Sequence, residues 1–267
     1  MPQAAAGVAP RSGGNGAMLR TPKTREWAAP RDRHIYLVWI AVVWAGMLGG
    51  FLPDLRRYMA ETPPPPFALH LHGAVYVVWL ALVTAQIALV EVDNTALHKR
   101  LGWWLVWFSA ALVVVGLVAA MVDMTRASRH PPFDAPFLGL EFQEMAVFPI
   151  LLMLAVRMRR DLAAHKRLMI LLAVAILDPG TSRAFGFVFY DHDTGPLWFW
   201  LHYFSGNATL IALMIAWDCW HFGRPHPALL AGTALIAVGE AAAVAAEFSP
   251  WWRGVAEGLV RAWGWAG

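Results

Sequence analysis

The sequence predicts an all-α fold: a bundle of seven transmembrane helices, N-terminus inside and C-terminus outside. Three observations predict it. The 267 residues are 58% hydrophobic and only 15% charged, with a mean hydropathy of +0.49, where soluble domains carry about 25% charged residues. Seven apolar runs are each long enough, at about 1.5 Å per residue, to cross a hydrocarbon core about 30 Å thick. Lys and Arg are distributed unevenly between the two sets of loops, which sets an orientation.

Residues 1–33 are rich in Ala, Pro, Gly and Arg and show no periodic apolar face, so they read as a disordered cytoplasmic tail. They do not read as a signal peptide, because the first apolar run follows Arg31 and Arg33 and is long enough to span. The membrane domain covers 34–247, with apolar runs at 34–53, 67–90, 102–123, 137–157, 167–190, 196–218 and 227–247. Helix breakers separate them, including Pro63 to Pro66, Pro131 and Pro132, and Pro225 and Pro227 around His226. With the N-tail inside, fourteen of the 21 Lys and Arg lie on the inner side and six on the outer, with Arg183 inside the membrane. That asymmetry orients the chain. Residues 248–267, with Trp251, Trp252, Arg253 and Trp263, form an amphipathic Trp-rich tail suited to the outer surface. Many of the fifteen Trp residues cluster near run ends, as interfacial belts do.

The composition also excludes function classes. Cys219 is the single cysteine, so neither an internal disulfide framework nor a thiolate metal cage can be built from this chain alone. There is no phosphate-binding glycine loop and no interleaving of basic and aromatic residues, and nucleic acid is not an expected partner. The lipid bilayer is, together with a membrane-protein partner or a second copy of the chain.

The candidate site is a set of ionisable residues within the apolar runs: His72, Glu141, Glu144, Arg183, His202 and Glu240. Such groups are costly in hydrocarbon and mark function by default. From their positions in each run, His72, Glu141, Glu144 and His202 lie about 6–10 Å below the outer entry points, with Arg183 and Glu240 within about 10 Å of the same surface. Glu141 and Glu144 share a helix face. His72, Tyr76, Trp79 and Gln86 form one stripe, whereas His70 points about 200° away from His72. His202, Ser205 and Thr209 make a stripe on the sixth run, and Thr233, Glu240 and Glu247 one on the seventh. The fifth run contains Asp178-Pro179-Gly180 in mid-membrane, either a proline kink or a broken helix of the kind that transporter sites use.

Several chemistries suit this set. His72 and His202, at one depth, have the residue types for the axial ligands of a haem b, with Arg183 on a propionate. His72, Glu141, Glu144 and His202 also suit a divalent metal. The Glu-x-x-His pairs of di-iron bundles are absent, since the fourth run carries Glu-x-x-Glu. Asp178 and Glu240 suit a transport path for protons or ions. An accessory or assembly subunit without chemistry of its own is a further class. The structural alternative is that Glu141, Arg183 and His202 pair with one another or snorkel to the surface. His98 and His165 sit beside basic residues and read as topology anchors, and His130, His192, His221 and His226 as loop residues.

Two inner loops echo one another, "TALHKRLGWW" before the third run and "LAAHKRLMIL" before the fifth. Runs two–three and four–five then read either as repeated hairpins or as two independent basic anchors. With "HLHGAVYVVWLALVTAQ", "ALHKRLGWW" and "AHKRLMILLAVAILDPG", over about 67–123 and 165–180, the chain resembles a family of uncharacterised bacterial multi-pass membrane proteins. The resemblance implies an integral protein of the bacterial cytoplasmic (inner) membrane. It marks His70, His72, Gly73, Gln86, His98 and His165 as motif positions.

Overall fold

In lipid a backbone must satisfy its own hydrogen bonds, and a helix does so within one segment. The computed structural model, described over residues 34–129, 133–185 and 195–265, is helical with no strand among the described residues. The helices are α1 (Ile35–Ala60), α2 (Phe67–Glu91), α3 (Thr95–Ala127), α4 (Leu138–Arg157, preceded by a 3₁₀ turn at Ala135–Phe137), α5 (Leu162–Val174), α6 (Asp178–Phe185), α7 (Pro196–Phe222), α8 (Pro227–Glu247) and α9 (Pro250–Trp265). Six are long and apolar enough to cross a membrane: α1, α2, α3, α4 with its 3₁₀ turn, α7 and α8. The expectations for the tail 1–33, for His130, Pro131, Pro132 and His192, and for 186–190 lie outside the described residues.

The fifth apolar run differs from a single spanning helix. It is a 13-residue α5 and an 8-residue α6, separated at Ala175 to Leu177, and neither reaches the roughly 20 residues that a span needs. Pro179 has no N–H to return to Ala175, so the α5 ladder cannot continue through it. A new helix starts instead from Leu177, whose carbonyl accepts from the N–H groups of Gly180 (2.9 Å) and Thr181 (3.0 Å).

Small residues hold this short helix inside the bundle. On α1, Gly46 and Gly50 are four apart and face α6. A Cβ at Gly50 would lie 2.7 Å from the carbonyl carbon of Gly180 and 2.9 Å from its Cα. On the other side, a Cβ at Gly206 of α7 would lie 2.6 Å from Thr181 Oγ1. Backbone approach of this kind is how helices associate without a hydrophobic driving force. The same device joins α4 to α8: Gly232, Gly239 and Ala246, seven apart on α8, meet Leu151, Gln143 with Val147, and Gly139 of α4.

The two echoing loops fold alike. Asn94 caps α3 by accepting from Leu97 N–H at 3.2 Å. Asp161 caps α5 by accepting from Ala163 and Ala164 N–H at 3.1 Å each. Four residues after each cap comes the histidine of the His-Lys-Arg-Leu motif, turned back onto the end of the preceding helix. His98 Nδ1 is 3.2 Å from the Gln86 carbonyl, and His165 Nδ1 is 2.9 Å from the Ala155 carbonyl. The two rings meet edge-on, 6.4 Å between centroids. These histidines therefore close α2–α3 and α4–α5 as matching hairpins, a tighter role than that of anchors.

The first turns of α5 also differ from the expectation. Arg167, counted among the inner loop charges, lies within α5 and is only 2% exposed. Its guanidinium holds both oxygens of Asp218 on α7, at 2.6–3.1 Å, and donates to the Ala163 carbonyl at 3.0 Å. The same carboxylate accepts from His226 N–H at 3.0 Å, and His226 Nδ1 caps α8 by accepting from Ala228 N–H. The cluster ties α5, α7 and α8 together where α7 turns through Gly223, at φ +74°.

The α2 stripe faces inward as its spacing predicts. Tyr76, Trp79 and Gln86 are buried. Trp79 Nε1 donates to Ser109 Oγ of α3 at 2.8 Å. The terminal α9 is amphipathic and packs on the end of α3 and the 3₁₀ turn, with Trp252 Nε1 donating to the Pro136 carbonyl at 3.0 Å.

Candidate functional site

Besides Asp218, three carboxyl groups are buried among the described residues: Glu144 on α4 (4% exposed), Asp178 at the start of α6 (2%) and Glu240 on α8 (5%). The contacts of Gly239 with Gln143 and Val147 bring Glu144 to the level of Glu240, and the break in the fifth run puts Asp178 at a helix N-terminus. Asp178 feels the charges of both Glu144 and Glu240, so the three form one electrostatic neighbourhood. Glu240 Oε2 accepts from Trp200 Nε1 of α7 at 2.9 Å. Glu144 Oε1 and Asp178 Oδ1 are buried with no hydrogen-bond partner. An isolated anion in such a place is costly, so any charge there calls for a companion, a proton or a cation.

The neighbourhood extends towards one face. Glu144 feels Glu141, and Glu141 feels Asp123 of α3. Asp123 lines a depression of about 210 Å³ together with Glu61, Arg126 and Ala127. Arg126 pairs there with Glu61. Asp123, Glu141, Glu144 and Asp178 are therefore successive Coulombic neighbours, and the first of them lines the depression.

The remaining predicted residues are placed differently. His72 is half-buried, with its ring 4.4 Å from that of Tyr76, and its Nδ1 has no hydrogen-bond partner. Arg183 acts on His72, Glu141 and Glu144 at Coulombic range. Its guanidinium, however, turns to the edge of the bundle, where it donates to the Pro179 carbonyl at 2.7 Å, lies 3.5 Å from Asp54 and rests over the Phe51 ring. Arg183 thus pairs with Asp54, where the sequence suggested Glu141 or His202. His202 is half-buried on the α7 face shared with Thr209, which is exposed and bonds back to the Ser205 carbonyl. Thr209 therefore lies on the side of the bundle, whereas His202 Nδ1 is enclosed. α2 packs on α3 and α1, and α7 on α6, α8 and α5, so the helices of His72 and His202 are not principal neighbours. Among the described residues no three His, Cys, Asp or Glu side chains have metal-ligating geometry.

Sequence reading passed over the inward polar face of α7. Asn207 is completely buried with both amide atoms unpartnered. It lies seven residues from Trp200 and so on the same face. Thr233, whose Oγ1 is also buried and unpartnered, lies seven residues from Glu240 on α8, and His226 lies seven before Thr233. The spacing of seven had already placed Thr233 with Glu240 and Glu247 on one stripe, and it extends back to His226. Asn207 carries no charge and gave no comparable signal. No family model matches the chain, and no match was found among curated proteins or solved structures.

Proposed function

We propose that this chain is a seven-span protein of the bacterial cytoplasmic membrane, N-terminus inside, that carries protons through Glu144, Asp178 and Glu240. In this reading α5 and α6 together make the fifth span, and the positive-inside distribution of Lys and Arg supports the orientation. The observation that carries the reading is the pair of deeply buried carboxyl groups, Glu144 and Asp178, each with an oxygen lacking any partner, beside a helix broken in mid-bundle. Intramembrane carboxyl chains are the usual substance of proton relays, and broken helices sit where carriers bind their cargo.

Each group has a role. Asp123 and Glu141 receive the proton from the depression beside Glu61. Glu144 and Asp178 pass it to Glu240, whose carboxylate Trp200 steadies. The test is proton flux into proteoliposomes that contain a pH dye and are driven by a potassium diffusion potential. Wild-type protein is expected to exceed protein-free vesicles, and Glu144→Gln, Asp178→Asn and Glu240→Gln are each expected to remove the excess. Wild-type vesicles no leakier than empty ones would reject the reading. A Soret band or stoichiometric iron in the purified protein, lost in His72→Ala and His202→Ala, would restore the haem reading in its place.

A further inference from the structure

The three-carboxyl layer lies towards one end of α7 and α8, and the Arg167–Asp218–His226 cluster closes the other. What joins them is the seam between the two helices, whose register is fixed by the Trp200–Glu240 bond at one end and the Asp218–His226 bond at the other. Because the helices are antiparallel, a step of seven along each moves about 10 Å down the seam while keeping the face. The first such step from Trp200 and Glu240 arrives at Asn207 and Thr233. Buried polar groups without protein partners are the places where proteins hold internal water. One turn further, Ile211 stands level with Leu229, with exposures of 6% and 1%. Leu168 and Leu171 of α5 close against Gly232 from the side. The side chains of Ile211, Leu229, Leu168 and Leu171 carry no polar group to hold water.

We infer that Asn207 and Thr233 hold the innermost water of the proton route, and that Ile211 and Leu229 form a dry gate between that water and Asp218. The inference rests on the proton-carrying reading of the carboxyl layer. In the transfer, the Glu240 O–H bond breaks as the water takes its proton, and Glu240 is recharged from Asp178. Once the layer wets, the hydronium so formed gives up its proton along the wetted layer to the inner aqueous phase, and the Asp218–Arg167 pair stays charged. Apolar constrictions of this kind gate by wetting and drying.

The test has two independent arms. In a Cys219→Ser background, Asn207→Cys and Ile211→Cys are treated in membrane vesicles with a small water-borne methanethiosulfonate. Asn207→Cys should react at least about tenfold faster, because thiol reactivity follows access of water and reagent. In proteoliposomes Leu229→Ala should raise proton flux and Asn207→Leu should abolish it, while Asn207→Ser, which keeps a polar partner for water, retains it. All variants are checked for monodispersity. Equal labelling of the two cysteines overturns the dry gate whatever the flux. A labelling contrast with wild-type flux in both Leu229→Ala and Asn207→Leu overturns its part in transport. Wild-type vesicles without flux reject the proton reading itself, and the labelling contrast then still reports on the gate.

Discussion

Gly49 and Gly50 are chemically identical neighbours, and the structure assigns them opposite sensitivities. A Cβ at Gly49 meets nothing within 4 Å, whereas one at Gly50 would sit 2.7 Å from the carbonyl carbon of Gly180. Carbon atoms in contact settle at about 3.5–4.0 Å, so Gly50→Ala must drive α1 and α6 apart by about 1 Å. The obstruction is backbone on both sides, and no flexible side chain can yield. Overpacking of this sort costs about 1–3 kcal/mol. Gly49→Ala suffers no such clash, and the helix-propensity gain of about 0.5–1 kcal/mol is common to both substitutions, so the two variants should differ by the overpacking cost, about 1–3 kcal/mol. The assay is equilibrium unfolding in mixed micelles with increasing SDS, followed by Trp fluorescence, because thermal scans of such proteins report rates rather than equilibria. Since Gly180 follows Asp178 by two residues, Gly50→Ala should also reduce proton flux, and Gly49→Ala should not. Equal stability in the two variants would show that α6 is not clamped by α1 and would refute the packing argument.

Further outcomes follow from the same structure. Arg167→Met and Asp218→Leu should each cost about 3–5 kcal/mol by stranding a buried charge, and the double variant much less than their sum; SDS unfolding of the four proteins measures the coupling. His226, at the mouth of α8, is held below its usual pKa by burial first and by the Arg167 charge second, against the opposing pull of Asp161 and Asp218. The folded state then binds fewer protons than the unfolded one, so stability is full above about pH 6.5 and declines as acid forces a proton onto the capping Nδ1. His226→Asn, which can still cap, should flatten that decline between pH 7.5 and 5, and an unchanged pH profile would exclude His226 as its source. Asp161→Ala should cost about 1 kcal/mol, and Asn94→Ala less, because Asp161 caps two N–H groups and Asn94 one. Equal losses on SDS unfolding would contradict the hairpin comparison.

Much of the fold was legible along the chain. Apolar run length located the six long helices, because a bilayer imposes a minimum span and a helix rises by a fixed amount per residue. The period of 3.6 placed Tyr76, Trp79 and Gln86 on one inward stripe, and local stereochemistry in Asp178-Pro179-Gly180 marked the break. Depth along each run likewise singled out Glu144 and Glu240, because an acid in an apolar run is anomalous wherever its neighbours lie. Facing between helices was not legible, since it depends on which small residues allow close approach. The contacts of Gly46, Gly50 and Gly206 with α6 decided that Asp178 lies inside the bundle. The rotation of α7 turned Asn207 inwards and Thr209 outwards. Arg167 read as a loop charge because Lys and Arg beside an apolar run usually are; only the arrival of Asp218 from 51 residues away made its burial affordable. The sequence alone determined which groups must avoid lipid, since that cost belongs to each residue. Tertiary structure decided with whom they avoid it, because partnership depends on the distances that packing sets.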